Sequence, residues 1–212
     1  MKKILFLITV FLLQNIIIIA QNEPQAVKIL DQFSAKSTSA PSVSMKFLLV
    51  TDDQAEDATD TLTGSVIISK DQYKLELPDN IIWFNGKTSW SYLPAEKEVT
   101  ITTPDKKDDS FQNRPSAVFT MYKKGYKSRL VEENAGSYVI DLYPDDINTE
   151  IIRLRLTIGK SLLDLKNMEY KNKEGMIFTL YVKEYSLTSK PDADAFIFQP
   201  DKYKGVEIID MR

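Results

Sequence analysis

The sequence predicts a mainly β protein, an incomplete, half-open antiparallel barrel of about eleven strands covered by α-helices. Three observations carry that expectation. Short runs of alternating apolar and polar residues recur from residue 42 almost to residue 188, the period-two pattern of half-buried strands. Turn pairs such as Lys70-Asp71 and Asn85-Gly86 punctuate those runs. Two apolar stretches with helical character, at residues 24–36 and 114–125, are available as a cover. An antiparallel sheet of that size curls, and its inner face must then be covered.

Residues 1–20 are set apart as a cleaved signal peptide. Met1-Lys2-Lys3 is a short positive start, and the apolar run from Ile4 to Ala20 is interrupted by Gln14-Asn15. A membrane anchor is the competing reading, but the run is at the short end of the ~17–25 residues that a span needs. Export with cleavage after Ala20 is therefore expected. That leaves residues 21–212 as a single exported domain, with no cysteine to carry a lipid of its own.

Composition removes several function classes. There are 27 basic and 30 acidic side chains, a net charge of −3 and no basic block, so nucleic acid is not an expected partner. Cys and His are both absent. Zinc sites built on those ligands, Ser-His-Asp triads and Cys-His dyads are excluded, and no disulfide supports the fold. Carboxylate pairs, a Ser-Lys arrangement or an oxygen-ligand metal remain, and no arrangement of them stands out. No catalytic residue, cofactor or metal site is expected.

In chain order, residues 24–36 read as an amphipathic helix, with Ala26, Val27, Leu30 and Phe33 on one stripe and Ile29 flanking it. Residues 34–44, rich in Ser, Thr, Ala and Pro, form a linker. The strand at 42–50 puts Val43, Met45, Phe47 and Leu49 on one face. Residues 51–60 are a solvated loop; its acidic run lacks the Gly and the terminal Glu spacing of a calcium site. Strands at 61–69 and 72–77 follow, with Tyr73, Leu75 and Leu77 sharing a face.

Residues 81–101 make a three-stranded meander. Asn85-Gly86 suits a type I′ turn, Pro94-Ala95-Glu96-Lys97 makes a second turn, and Trp90, Tyr92, Val99 and Ile101 fall on one parity. After a charged loop at 104–113, residues 114–125 read as a helix with Asn113 or Arg114 at its cap, Pro115 in its first turn and Gly125 at its end. Val118, Phe119, Met121 and Tyr122 make it more apolar than a surface helix. Strands at 126–132, 137–143, 151–158, 163–171 and 176–188 complete the set. Alternation is clear in Ile152, Leu154 and Leu156 against Arg153, Arg155 and Thr157, while the last strand leaves its inward face ambiguous.

Several of these residues stand in a familiar order. Phe47, Gly64 and Tyr73-Lys74-Leu75 come first, followed by Phe84-Asn85-Gly86-Lys87-Thr88-Ser89-Trp90-Ser91-Tyr92. The chain closes on Phe196-Ile197-Phe198-Gln199-Pro200 and Gly205-Val206-Glu207-Ile208-Ile209-Asp210. Together they resemble the LolA-type periplasmic outer-membrane lipoprotein carrier family over essentially the whole exported chain. The resemblance implies a LolA/LolB-like barrel whose hydrophobic cavity binds lipoprotein acyl chains. Such a carrier, a monomer without catalysis or cofactor, takes acylated lipoproteins from an inner-membrane ABC-type release complex. It passes them to the outer membrane, often through a receptor of the same fold.

On that basis the acyl-chain cavity is assigned to Met45, Phe47, Leu49, Tyr73, Leu75, Trp83, Trp90 and Tyr92, and the lid to Val118, Phe119, Met121 and Tyr122. The family's lid-holding arginine, part of an Arg-Pro pair after strand two, has no counterpart. Lys70-Asp71 stands there, and lysine keeps the charge without the planar fork. Lys70 is the nearest candidate for a latch.

Blander readings stand beside these. Trp83, Trp90 and Tyr92 also read as ordinary core, whereas Met45, Met121 and Met176 suit an adaptable pocket. Arg153, Arg155 and Lys123-Lys124 read as outward charges, with a docking surface as the alternative. The competing functions are a same-fold lipid- or lipoprotein-binding sensor or general amphiphile binder, and a hydrolase working through carboxylates. The carrier reading is preferred because it gives the apolar mid-sheet segment a task.

Overall fold

Twelve strands hydrogen-bond into one sheet in the computed structural model, which describes residues 22–104 and 113–212. The expected leader and nearly all of the charged loop at 104–113 lie outside the described residues. Helix α1 (Pro24–Ser39) leads into β1 (Val43–Asp53), β2 (Ala58–Ser69), β3 (Gln72–Glu76), β4 (Ile81–Phe84), β5 (Ser89–Leu93) and β6 (Glu98–Thr102). Two short 3-10 helices, Pro115–Phe119 and Met121–Lys123, precede β7 (Tyr126–Glu133), β8 (Ser137–Pro144), β9 (Ile151–Gly159), β10 (Leu165–Asn172) and β11 (Met176–Ser186). The last strand is β12 (Glu207–Asp210).

The order across the sheet is β12-β6-β5-β4-β3-β2-β1-β11-β10-β9-β8-β7. Neighbouring strands are antiparallel except β12, which runs parallel to β6. The sheet does not close. Because β6 and β7 lie towards opposite ends of it, the chain between them must travel from one end to the other. That crossing carries the two 3-10 helices over the inner face, where they meet α1.

Register explains the main core. Val43 pairs with Ile68 and Met45 with Val66 across β1 and β2; Val66 pairs with Leu75 and Ile68 with Tyr73 across β2 and β3. On the other wing Leu154 and Leu156 of β9 lie beside Leu142 and Ile140 of β8. All of these are buried in one cluster with Ala26, Ile29, Leu30 and Phe33 of α1. Within α1 the buried stripe includes Ile29, whereas Val27 is only half-buried. Phe47 faces Gly64 across the β1–β2 pair. A Cβ on Gly64 would sit 2.6 Å from the Phe47 ring, so the missing side chain is what admits the ring.

Four expectations are corrected. The acidic stretch 51–60 is not a loop but the extended end of the β1–β2 hairpin, paired out to Asp53 and Ala58. Stretch 114–125 is not an α-helix. Thr120 adopts φ −133°, which breaks it into two 3-10 turns, and β-branched Val118 and Thr120 lower its helical propensity. The Asn85-Gly86 turn is not type I′, which needs two positive φ values. Only Gly86 has one, at 92°, and the Asn85 side chain accepts hydrogen bonds from the N–H groups of Lys87 and Thr88. Finally, β12 adds a strand to the expected eleven.

Arg153 and Arg155 face outward, as their parity predicts, and are committed to neighbours there. Asp141, only 1% exposed, accepts from Arg155 Nε at 2.6 Å and Nη2 at 2.9 Å, and from the Tyr143 hydroxyl. Arg153 donates to Glu169.

Candidate functional site

The residues expected to close the barrel do come together over its inner face. Pro115 starts the first 3-10 turn with a pre-set φ, and the turn drives Val118 and Phe119 into the core, 3% and 2% exposed. Phe119 stacks at a tilt on Phe33 of α1, ring centroids 5.7 Å apart. Tyr122 is buried, and its hydroxyl donates to Asp31 Oδ1. Burial, and then this bond beside a carboxylate, push the Tyr122 phenol pKa well above its usual value. Met121 is half-buried against the same cluster. Gly125, at φ 81°, turns the chain into β7.

Helix α1 has a second anchor. Ser37 and Tyr185 of β11 are hydrogen-bonded at 2.8 Å. Burial raises the Tyr185 phenol to about 12, with the Ser37 bond acting the other way. The cover is therefore tied down by two phenols, one on each side of the helix–sheet junction.

A cavity of about 410 Å³ opens beside this cover. It lies between the C-terminal turn of α1 (Ser37, Thr38), Val43 and Ile68 of the sheet, and the crossing segment at Ala117, Phe119 and Met121. Its rim carries Lys70, Asp71, Arg114 and Lys124. Lys70 holds φ 54° in the two-residue β2–β3 turn. It makes no hydrogen bond to the crossing segment among the described residues, whereas Tyr122 does bond to α1. Asp31 and Ser37 carried no signal in the sequence; each sits on α1 at a position that only tertiary packing brings opposite a tyrosine.

The eight residues expected to line one cavity divide between two faces. Met45, Phe47, Tyr73 and Leu75 are buried in the inner cluster, with Leu49 packed against it. Trp83, Trp90 and Tyr92 belong to a second cluster on the opposite face. Tyr73 pairs with Phe84 and Leu75 with Ile82, so Ile82 and Phe84 continue the inner face and Trp83 points away from it. Trp83 packs edge-on to Phe198 and Tyr203 at 5.5 and 5.6 Å, and Tyr92 packs on Tyr203 at 4.9 Å. The chain after β11 covers this outer face. The expectation of one common inward face is therefore corrected for these three aromatics, and none of the eight lines the 410 Å³ cavity.

Among the described residues no helix is long and apolar enough to cross a membrane. No group of three or more acidic side chains there is placed to hold a metal ion.

A family model described as outer membrane lipoprotein carrier protein LolA matches residues 16–175. No curated protein sequence matches the chain. Among solved structures, an uncharacterized conserved protein from Thermus thermophilus is similar, with a TM-score of 0.55 and 13% identity over 88% of this chain and 99% of that one. A LolA superfamily protein from Nitrosomonas europaea has a TM-score of 0.43 and 14% identity, covering 84% of this chain and 98% of its own. A putative outer membrane lipoprotein-sorting protein domain from Vibrio parahaemolyticus has a TM-score of 0.44 and 10% identity, with 82% and 96% covered. At 13% identity the first of these speaks for a shared fold.

Proposed function

The chain belongs to the LolA family of outer membrane lipoprotein carrier proteins, and on that premise we propose that it is a periplasmic carrier of lipoprotein acyl chains. One observation supports the reading above others. The apolar inner face is closed by a crossing segment of two short 3-10 turns, held to α1 by the Phe33–Phe119 stack and the Tyr122–Asp31 bond. Such a cover is displaced as a unit without melting any strand. Displacement bares Met45, Phe47, Leu49, Tyr73 and Leu75 as the wall for an acyl chain, with Val118, Phe119, Met121 and Tyr122 as the lid.

The energetics suit a carrier. Each methylene buried gains roughly 0.8 kcal/mol, enough to offset the lost contacts of the lid when several enter. Release then requires re-closure of the lid or hand-over to a better site, and no covalent chemistry. The partners of this cycle are acylated lipoproteins, an ABC-type release complex in the inner membrane and an outer-membrane receptor. In the cycle the Tyr122–Asp31 bond serves as the latch, with Lys70 at the cavity rim instead.

The test is binding of a fluorescent fatty-acid analogue to the purified chain. Phe119→Glu places a charge against that wall and lowers affinity by about tenfold or more; unchanged affinity overturns the lid assignment. In the native host, depletion leaves outer-membrane lipoproteins in the inner membrane. Unchanged sorting would reduce the reading to a general amphiphile-binding protein.

A further inference from the structure

The 410 Å³ cavity combines an apolar wall with a rim of unusual charge. Ile68 and Phe119 line it, and Lys70, Arg114 and Lys124 stand at its opening against one carboxylate, Asp71. The whole chain carries a net charge of −3, so this excess of cations runs against the protein's own balance. The Lys70 and Lys124 ammonium groups have no ion-pair or hydrogen-bond partner among the described residues, though cation pairing is common elsewhere on the surface. Both are fixed at the opening by backbone geometry. Lys70 sits in a two-residue turn at φ 54°, and Lys124 ends the second 3-10 helix.

Acyl chains joined to a protein through ester or amide bonds carry no charge at their head, so they make no use of these cations. We propose that this cavity recognises the head of a single-chain anionic amphiphile: an acyl chain ending in a carboxylate or a phosphate, tail against Ile68 and Phe119, head between Lys70 and Lys124. The volume falls within the ~300–1,000 Å³ of small-ligand sites. Charge-assisted hydrogen bonds from ammonium groups suit either oxyanion. The inference rests on the reading of the inner face as an acyl-chain site and adds a head-group selectivity to it.

The test displaces a fluorescent fatty acid from the full chain with four competitors: palmitate, neutral monopalmitoylglycerol, lysophosphatidylglycerol and inorganic phosphate. The expected order puts palmitate or lysophosphatidylglycerol about tenfold ahead of monopalmitoylglycerol, as two exposed ion pairs allow. That advantage shrinks between about 0.05 and 0.5 M salt, as screening dictates. Which of the two anions leads separates carboxylate from phosphate as the source. In Lys70→Gln combined with Lys124→Gln the anionic ligands lose their lead, with the thermal midpoint confirming a folded protein.

Equal affinity for neutral and anionic amphiphiles, or a lead that survives the double substitution, overturns the proposal and leaves the acyl-chain reading standing. Displacement by inorganic phosphate as effective as by the lipids overturns it in favour of a free-anion site. Failure of every amphiphile to bind overturns the acyl-chain reading itself.

Discussion

The two faces of this sheet are covered in different ways, and the contrast lies in what ties each cover down. On the inner face the cover is α1 and a crossing segment, tied down by phenol hydrogen bonds at Tyr122–Asp31 and Tyr185–Ser37. On the outer face the cover is the chain after β11, which packs Phe198 and Tyr203 onto Trp83 and Tyr92 and then joins the sheet as β12. Hydrogen bonds of the first kind contribute only about 0.5–1.5 kcal/mol each. A buried tryptophan set among aromatic rings contributes several times that. The inner cover adds these polar ties to its Phe33–Phe119 packing, whereas the outer one rests on aromatic contacts and strand pairing.

The largest effect that would sharpen this difference comes from Trp83→Ala. Loss of the ring that meets both Phe198 and Tyr203 should destabilise the fold by about 3–5 kcal/mol, read from the urea midpoint. Amphiphile affinity at a temperature where the variant is folded should stay that of the parent. If affinity falls with stability intact, Trp83 belongs to the binding wall and the two faces are not separate in function.

Alkaline pH should strike the inner cover. Tyr185 ionises at about 12 in the fold because burial disfavours its phenolate, against an ordinary value of 10.0. The folded state therefore holds the proton more tightly. The associated stability is complete below pH 10 and is lost as pH rises towards 12, an upper limit of about 3 kcal/mol for a half-buried ring. Urea midpoints between about pH 9 and 12 should show the slope, and Tyr185→Phe should lessen it, with the Tyr122, Tyr143, Tyr170 and Tyr203 phenols, also raised, supplying the remainder. An equal slope in the variant would place the sensitivity elsewhere.

The smallest effect is the most diagnostic for the lid. Tyr122→Phe removes one hydrogen bond from a side chain that remains packed, about 1 kcal/mol. Amide exchange around residues 115–123 should accelerate by about fivefold, while exchange in β4–β6 should not change. Acceleration shared by both regions would mean that the crossing segment opens only with the sheet.

Much of this architecture was legible in the sequence, and the limits have physical causes. Alternation in 42–50 and 72–77 placed Met45, Phe47, Tyr73 and Leu75 together because parity fixes which residues share a face. Parity does not say which side of the sheet that face is on. Trp90, Tyr92, Val99 and Ile101 were correctly grouped, yet their side is decided by the β3–β4 register, where Lys74 rather than Tyr73 stands opposite Trp83. The crossing segment is marked by its apolar residues but not by its geometry, since about ten residues with Val118 and Thr120 at the centre do not sustain an α-helix against the pull of the core. Strand β12 escaped because all four of its residues are exposed, so no buried alternation marks it. The cavity rim was hidden for another reason. Lys70 is far in sequence from Arg114 and Lys124, and only the crossing of the chain between β6 and β7 brings them to one cavity.

Both margins of the open sheet are occupied by the ends of the described chain. Along β7, the Glu23 N–H donates to the Ser128 carbonyl, while Asn22 and Glu23 side chains accept from the N–H groups of Ser128 and Leu130. Beyond β6, the margin is reduced to a four-residue strand that begins at Glu207 and ends at Asp210. A sheet margin with free N–H and C=O groups is a template for other strands. Removing Asn22 and Glu23, or the strand from Glu207 to Asp210, would thus do more than loosen a terminus: it would bare a margin on which other chains can pair.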